Sequence, residues 1–429
     1  MDPIWGLLVL IILFFLGVPV AYSLGISALF MMYCLFGTIR WSTVCMQMVA
    51  GLNSFTILAV PLFLLGGKVM NACGITDRLF RFARVLVGRL PGGLGHVNVV
   101  ASVIFAGMSG TAIADACGLG QIEIKAMEDA GYDREFSCAV TSASSTLGPI
   151  IPPSMPLVVY GTISGVSIGA LFVAGLIPGV IMALLMMGLV LYLSLRKNYP
   201  RDPKMSAREA IKTLAAGILP CLSPVIILLG IYTGIFTPTE SAAIVVVYSV
   251  ILGLFVYKSV GMKALIRVIK ETVLESIGLC VLISTATLFG NILTQAMIPQ
   301  KIMRAAMSVI NNKFMFILLL NVLLLVVGMF METVSSITIL TPIIYPLAVS
   351  MGINGVQLGI IIVLNLMIGV LSPPFGVVLF AISKIGKLSY GKLVKALIPW
   401  YVILLFSLAI VSFVPIATTW LPSLMALGG

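Results

Sequence analysis

Apolar residues run along this chain in long blocks, covering 4–37, 54–70, 94–124, 136–165, 168–195, 213–236, 240–257, 276–298, 314–348, 355–383 and 397–420. A helix that crosses the hydrocarbon core of a bilayer needs about 20 apolar residues, so most of these blocks read as spanning helices. The first is long enough for one tilted span or for two short ones bent at Pro19, and the pattern leaves both open. Between the blocks lie amphipathic basic segments. Residues 76–91 place Arg78, Arg81 and Arg84 at helical spacing among Leu79, Phe80, Phe82 and Leu86, with Arg89 following. Similar segments cover 204–212, 258–275, 299–313 and 384–396. Such stretches are expected to lie flat on the membrane surface, apolar face down and basic face out.

Composition agrees with this picture. Hydrophobic residues make up 60% of the 429 positions and charged residues 9%, with a mean hydropathy of +1.20. A soluble domain carries roughly 25% charged residues, so this is an all-α, polytopic membrane protein. The net charge of +11 reflects basic clusters between spans, as the positive-inside rule requires, rather than a nucleic-acid surface. The seven cysteines occur singly, without a CxxC pair, which argues against a zinc site or a disulfide framework. There is one histidine, His96, and no Walker A pattern. The N-terminus lacks a basic n-region and its apolar block exceeds a signal peptide, so it should remain as a membrane anchor.

An internal repeat is the most informative feature. A shift of 221 residues places Gly107-Met108 on Gly328-Met329, Gly131 on Gly352, Gly148 on Gly369, and Pro152-Pro153 on Pro373-Pro374, without a gap. Apart from Met these are helix-breaking residues. Each repeat, about 54–195 and 276–420, runs through a basic segment, an apolar pair broken at Gly-Met, a glycine turn and a span broken at Pro-Pro. The apolar pairs, 94–130 and 314–350, are expected to form re-entrant hairpins, and 136–165 and 355–383 to form the Pro-broken spans. With the 76–91 segment in the cytoplasm, about twenty Lys and Arg face inward, and Arg40, Lys301, Arg304 and Lys313 face out. The two hairpins then enter from opposite sides, which makes the repeats inverted. Inverted repeats with helices broken near the midplane are the architecture of secondary transporters.

Two groups of residues carry the candidate chemistry. The tips read Gly107-Met108-Ser109-Gly110-Thr111-Ala112, with Asp115 one turn on, and Gly328-Met329-Phe330-Met331-Glu332-Thr333, followed by Ser335 and Ser336. Small and hydroxyl residues allow close backbone approach and offer oxygen ligands, although they also serve plain helix packing. Asp115 and Glu332 are carboxylates in apolar surroundings, a costly placement that marks a functional site unless a helix N-terminus satisfies it. The broken spans read Ser142-Ala143-Ser144-Ser145-Thr146-Leu147-Gly148-Pro149 to Ser154, and Asn365 to Gly369, then Ser372-Pro373-Pro374-Phe375. Paired prolines remove backbone donors and free the carbonyls one turn earlier. Thr237 or Thr239 is expected to cap a helix opening at Pro238-Thr239-Glu240, and His96 has no assigned role.

Gly107-Met108-Ser109-Gly110 also looks like the GxSG of rhomboid proteases. His96 lies 13 residues upstream of Ser109, about 20 Å along a helix, so the dyad cannot form within one chain. A pore is the other rival, but a pore requires neither paired hairpins nor midplane breaks.

The stretch from Gly131-Tyr132 through Leu147-Gly148-Pro149-Ile150-Ile151-Pro152-Pro153-Ser154, Tyr160-Gly161 and Ala174-Gly175-Leu176-Ile177-Pro178-Gly179 resembles the large membrane subunit of tripartite ATP-independent periplasmic (TRAP) transporters. So do Val60-Pro61-Leu62-Phe63, Thr237-Pro238-Thr239-Glu240-Ser241 and Ser372-Pro373-Pro374-Phe375-Gly376, and the likeness spans the chain in order. The resemblance implies a sodium-coupled elevator carrier, not an enzyme. A transport domain (94–165 and 314–383) would slide against a scaffold of 1–93, 166–313 and 384–429. It implies a separate small four-helix membrane subunit, a periplasmic binding protein and an organic acid substrate, sialic acid or a C4-dicarboxylate, at the bacterial inner membrane. A stand-alone sodium-coupled anion carrier is the alternative. By motif position, sodium would be held by Ser109, Gly110, Ser144, Ser145 and Gly148, and by Glu332, Thr333, Asn365, Gly369 and Ser372. The substrate would meet Ser109, Thr111, Ser154, Thr333, Ser335 and Phe375, and since no Arg or Lys falls in these motifs, helix N-termini and hydroxyls would hold its carboxylate.

Overall fold

The computed structural model describes residues 2–53, 55–202, 206–298, 301, 312–373 and 376–425. The side chains of 15, 55, 56, 107–109, 114 and 232 are outside that description. The first apolar block is two helices, α1 (Trp5–Phe15) and α2 (Val20–Phe36), separated by Gly17 at φ +76° and Pro19. They fold back on each other: the Ser27 hydroxyl donates to the Gly6 carbonyl at 2.5 Å, and Gly6 rests on Met31. A helix absent from the sequence reading, α3 (Trp41–Leu52), follows. Its apolar content is diluted by Ser42, Thr43 and Gln47, and it packs along a later long helix.

Next come α4 (Ala59–Ala72) and α5 (Ile75–Val87), bent by 76° at Gly74, whose φ is +65°. Helix α5 is the predicted basic amphipathic segment, but its apolar face is not turned to lipid. Ile75, Leu79, Phe80 and Ala83 are buried against neighbouring helices of the protein. Two of its three arginines are also anchored: Arg78 stacks over Tyr257, 3.8 Å from the ring centroid, and Arg84 pairs with Asp202 at 2.5 Å.

The two halves then repeat element by element. The first hairpin is α6 (Gly93–Ser109) and α7 (Ala112–Asp129); the second is α14 (Lys313–Phe330) and α15 (Thr333–Ser350). Both second legs hold 18 residues and start 221 positions apart. Each hairpin closes into the following helix through the same turn. In the first, Gly131 has φ +85° and Tyr132 N–H donates to Met127 O at 3.0 Å; in the second, Gly352 has φ +72° and Ile353 N–H donates to Ala348 O at 3.0 Å. A side chain at either glycine would be strained by its backbone angle. The bases are tied as well, since Leu94 N–H donates to the Tyr132 hydroxyl at 3.2 Å and Lys313 Nζ to the Gly352 carbonyl at 2.7 Å.

The interrupted helices are α8 (Arg134–Ser144), with a 3-10 turn at Ser145–Leu147, then α9 (Met155–Ser164), and later α16 (Gly355–Val370), then α17 (Val377–Ile385). They form the centre of the molecule. Residues 136–147 and 356–370 are buried without exception, the signature of a helix surrounded on all sides by protein. The halves meet where the Tyr160 hydroxyl donates to Gly355 O at 2.7 Å and its ring lies on Gly359.

Six more helices complete the bundle: α10 (Ile168–Lys197), α11 (Ala207–Tyr232), α12 (Pro238–Ile251), α13 (Met262–Gln295), α18 (Tyr390–Phe413) and the short α19 (Ile416–Leu424). Thr237 caps α12 reciprocally with Glu240. The segment at 258–275, expected as a separate surface arm, runs without interruption from Met262 into the 34-residue α13. No proline or turn intervenes, and Gly278 has open space around it, so nothing stops the helix. Residues 207–212 and 390–396 are likewise the first turns of α11 and α18; most of 299–313 lies outside the described residues. Among the described residues, seven helices are individually long and apolar enough to cross a membrane.

Candidate functional site

Each hairpin tip rests on the break of the next span. At the first, Gly110 has φ +61° and ends α6. A methyl there would stand 2.8 Å from Pro153 O, and the Gly110 carbonyl accepts from Met155 N–H at 3.4 Å. The left-handed angle and the crowding together require glycine. At the second tip, Gly328 lies against Gly369 and Leu366, with only 3.0 Å between the position of a Gly328 methyl and Gly369 Cα. In the second half the contact joins two glycine marks of the repeat, Gly328 and Gly369; in the first it joins Gly110 to the proline mark at Pro153.

At the first break two hydroxyls turn inward to their own helix and a third reaches α6. Ser145 donates to Ser142 O at 2.8 Å, Thr146 to Ala143 O at 2.6 Å, and Ser144 to Asn98 Oδ1 at 2.7 Å. Two backbone oxygens also approach Gly148: the carbonyls of Thr111 and Ser145 lie 3.3 and 3.4 Å from where its Cβ would be, each accepting one backbone N–H, from Asp115 and Gly148 respectively, at 3.3 Å. Carbonyl oxygens on unwound backbone are the hard ligands an alkali cation takes. Ser154 is fully buried as the cap of α9, accepting from Leu157 N–H at 3.2 Å and donating to Pro149 O. Its oxygen serves the fold.

At the second tip Glu332 caps α15, its carboxylate accepting from Ser335 N–H at 3.0 Å, with the Ser335 hydroxyl at 3.4 Å. A carboxylate is favoured at that positive helix end, so part of its function is structural. In the second break Asn365 donates to Asn321 Oδ1 at 2.8 Å and to Ile361 O at 2.9 Å, while its own Oδ1 is buried without a partner. Ser372 donates to Ile368 O at 2.8 Å. Asn365 and Ser144 are repeat counterparts, and each is held by an asparagine of its hairpin's first leg. Asn98 and Asn321 were missed because an isolated amide in an apolar block has no spacing to single it out.

Both tips and both breaks border one gap, lined by Thr111, Pro149, Glu332, Thr333, Met367 and Val370 among others, with a volume of about 40 Å³. A water takes about 30 Å³ of the liquid, so in this conformation the tips are closed on each other. Of the expected site residues, Thr111, Glu332 and Thr333 line the gap directly. Gly110, Gly148 and Gly369 are the chain neighbours of the lining residues Thr111, Pro149 and Val370, whereas Ser144, Ser145, Asn365, Ser372 and Ser335 do not line the gap. Phe375 lies outside the described residues, as does the side chain of Ser109.

A second cavity of about 380 Å³ shares Thr111 and Ile113 with the gap and opens beside Lys68, Asn71 and Glu275. Lys68 and Glu275 pair at 2.5 Å. A single lysine inside the apolar block 54–70 is the signal that could have found it. Asp115 and Glu123 on α7 are 2% and 1% exposed, with both Asp115 oxygens unpartnered, so the first turn of α7 does not satisfy Asp115. His96 is buried as well.

Apolar helices packed around two interrupted spans, with a hairpin tip on each break, make this a multi-pass membrane transporter. The chain belongs to the family of the tripartite ATP-independent periplasmic transporter, DctM component, whose model matches residues 7–417. It is 42% identical over 412 residues to the sialic acid TRAP transporter large permease protein SiaM of Vibrio cholerae, covering 96% of each chain. Identity to the C4-dicarboxylate TRAP transporter large permease protein DctM of the same organism is 36% over 430 residues, at 95% of each. The fold is that of the Alcanivorax borkumensis YdaH transporter, with a TM-score of 0.66 at 15% identity over 91% of this chain and 90% of the other. The protein is a TRAP large permease of the bacterial inner membrane and not an enzyme.

Proposed function

We propose that this permease imports an organic acid anion, coupled to sodium, by sliding a transport domain (94–165 and 314–383) against a scaffold built from 1–93, 166–313 and 384–429. The observation that carries the proposal is the single closed gap where both hairpin tips and both breaks converge on Thr111, Glu332 and Thr333. In this reading the repeats are inverted, as the distribution of Lys and Arg argues. Each tip then reaches the midplane from its own side, and the gap can face either side without opening a continuous pore.

Asn365 Oδ1 in the second break, and the Thr111 and Ser145 carbonyls at Gly148, each of which accepts one backbone N–H and keeps a second lone pair, are the oxygens we assign to sodium. The N-terminal ends of α9 and α15 direct partial positive charge at the anion, with the Thr333 hydroxyl beside it. Glu332 adds a negative charge to a site for an anion, which makes cation binding a condition for anion binding and couples the two. The names of the two relatives point to sialic acid or a C4-dicarboxylate as the substrate class. Those names also point to a separate small membrane subunit and a periplasmic binding protein as partners.

The test is uptake into proteoliposomes holding the chain and its small subunit. Labelled sialic acid and labelled C4-dicarboxylate are each supplied with and without an inward sodium gradient and the binding protein. Uptake requiring both establishes the tripartite carrier. Uptake with sodium alone identifies a stand-alone carrier, and flux without either identifies a pore.

A further inference from the structure

A cavity of about 420 Å³ lies away from the tips, between α3 and α13 on one wall and α9 and α15 on the other. Thr341, on its α15 wall, is eight residues from the start of that helix, about 12 Å along the axis from the gap. The lining mixes hydroxyl and amide side chains with apolar ones and carries no charged side chain.

The hydrogen bonds around it give this cavity a definite character. Thr162 donates to Val158 O at 2.9 Å and Ser164 to Tyr160 O at 2.7 Å. On the opposite wall Thr287 donates to Ile283 O and Thr294 to Gly290 O, both at 2.9 Å. Asn291 commits its Nδ2 to Gln47 Oε1 at 2.5 Å and Thr287 O at 3.3 Å. A hydroxyl has one proton and two lone pairs, so these groups present lone pairs to the space between them. Thr341 is an exception. It is fully buried, lines the cavity, and its hydroxyl has no partner.

Most of the lining therefore accepts, and only the hydroxyls of Thr341 and Tyr345 on α15 keep a proton to give. Such a wall suits a ligand that brings many donors, and with two hydroxyls and no cationic side chain it serves a carboxylate, which when ionised only accepts, poorly. We propose that this cavity is a second substrate site, a vestibule that takes the hydroxyl-rich, uncharged portion of a sugar acid and leaves the carboxylate outside. The inference deepens the reading of the chain as an organic acid carrier and rests on it. Within that reading it selects polyhydroxylated acids over short dicarboxylates.

The test reads the cavity without transport. Thr294→Cys and Ser164→Cys place a thiol on opposite walls of the full chain in detergent, and the rate of labelling by a charged maleimide is followed against the parent chain. N-acetylneuraminate at about ten times its Kd slows labelling of both thiols about tenfold, and succinate leaves the rate unchanged. Adding Thr341→Val, which removes the buried hydroxyl at nearly constant shape, weakens the protection by N-acetylneuraminate. Protection by neither compound, or equal protection by both, overturns the proposal. If the proteoliposomes take up neither acid, the carrier reading fails by itself, and the labelling result still stands on its own.

Discussion

Gly328 and Gly369 touch backbone to backbone where the second hairpin tip crosses the second break, and a methyl on Gly369 would sit 2.5 Å from Gly328 Cα. Both walls of that contact are main chain, so neither can yield by changing a rotamer. Gly369→Ala is expected to separate the tip from the break, cost about 1–3 kcal/mol as overpacking does, and abolish sodium-driven uptake. Gly188→Ala, in α10 with nothing within 4 Å of the added methyl, should leave both unchanged. Thermal unfolding in detergent and uptake in proteoliposomes check the pair.

Asn365 is held by Asn321, which in turn donates to Ser412 Oγ at 3.0 Å. Removing the amide in Asn365→Ala takes the shorter of two donors from the buried Asn321 Oδ1, leaving only the Ser412 hydroxyl at 3.4 Å, at a cost of about 1 kcal/mol. It also deletes the unpartnered Oδ1. The expected result is a lower Tm and loss of the rise in Tm that sodium gives the parent chain. A sodium-dependent rise of parental size would remove Asn365 from the cation site.

Glu332 combines a cap with a charge, and two substitutions separate them. Glu332→Ala should lose about 1 kcal/mol through the cap. Glu332→Asn keeps a capping oxygen and should unfold like the parent, yet need more sodium for half-maximal uptake. Equal sodium dependence in Asn and parent would limit Glu332 to capping.

Thr333→Ala and Ser109→Ala remove one hydroxyl each at the tips. Sodium-driven uptake is expected to fall while expression and monodispersity hold. Undiminished uptake in both would sink the assignment of these residues to the site.

Asp133, at the turn entering α8, receives the Lys197 ammonium at 2.5 Å and the Tyr199 hydroxyl at 2.7 Å, and these hold its carboxyl below its ordinary 3.8. A depressed carboxylate pKa gives stability that is complete above the unfolded value and is lost as pH falls through the folded one. Between about pH 5 and about pH 2 the parent should therefore lose more Tm than Asp133→Asn does. The difference should be small, because Asp133 and Lys197 are both half exposed and screened by solvent. Parallel curves would show that the pair contributes nothing.

The sequence reading recovered what backbone chemistry marks. Gly131 and Gly352 sit at the left-handed turns, Gly148 and Gly369 at the breaks, and the spacing between them is the spacing of the helices themselves. It failed where elements continue rather than stop. Nothing in 262–295 marks a boundary, so a change from basic to apolar composition suggested two segments where there is one helix. Helix α3 escaped because its polar residues lie on a helix held by packing against α13, a contact that hydropathy does not encode. Within the site, Thr111 and Thr333 were legible from their motifs. Lys68 stands out in the sequence as a lone charge in an apolar block, but its place beside Thr111 and its pairing with Glu275 depend on the packing of α4 and α13.

The turns at Gly131 and Gly352 set an angle as well as a direction. From the cap at Asp133 to Ser144, and from the cap at Asn354 to Asn365, the count is 11 residues in both halves. Eleven residues are three helical turns and about 20° more, so cap and site residue share one face of the helix. One residue added or removed between them would swing Ser144 or Asn365 about 100° around the axis, away from its asparagine. Each interrupted helix is thus clocked from its base, and the rotational phase of the site is stored in a loop on the far side of the hairpin.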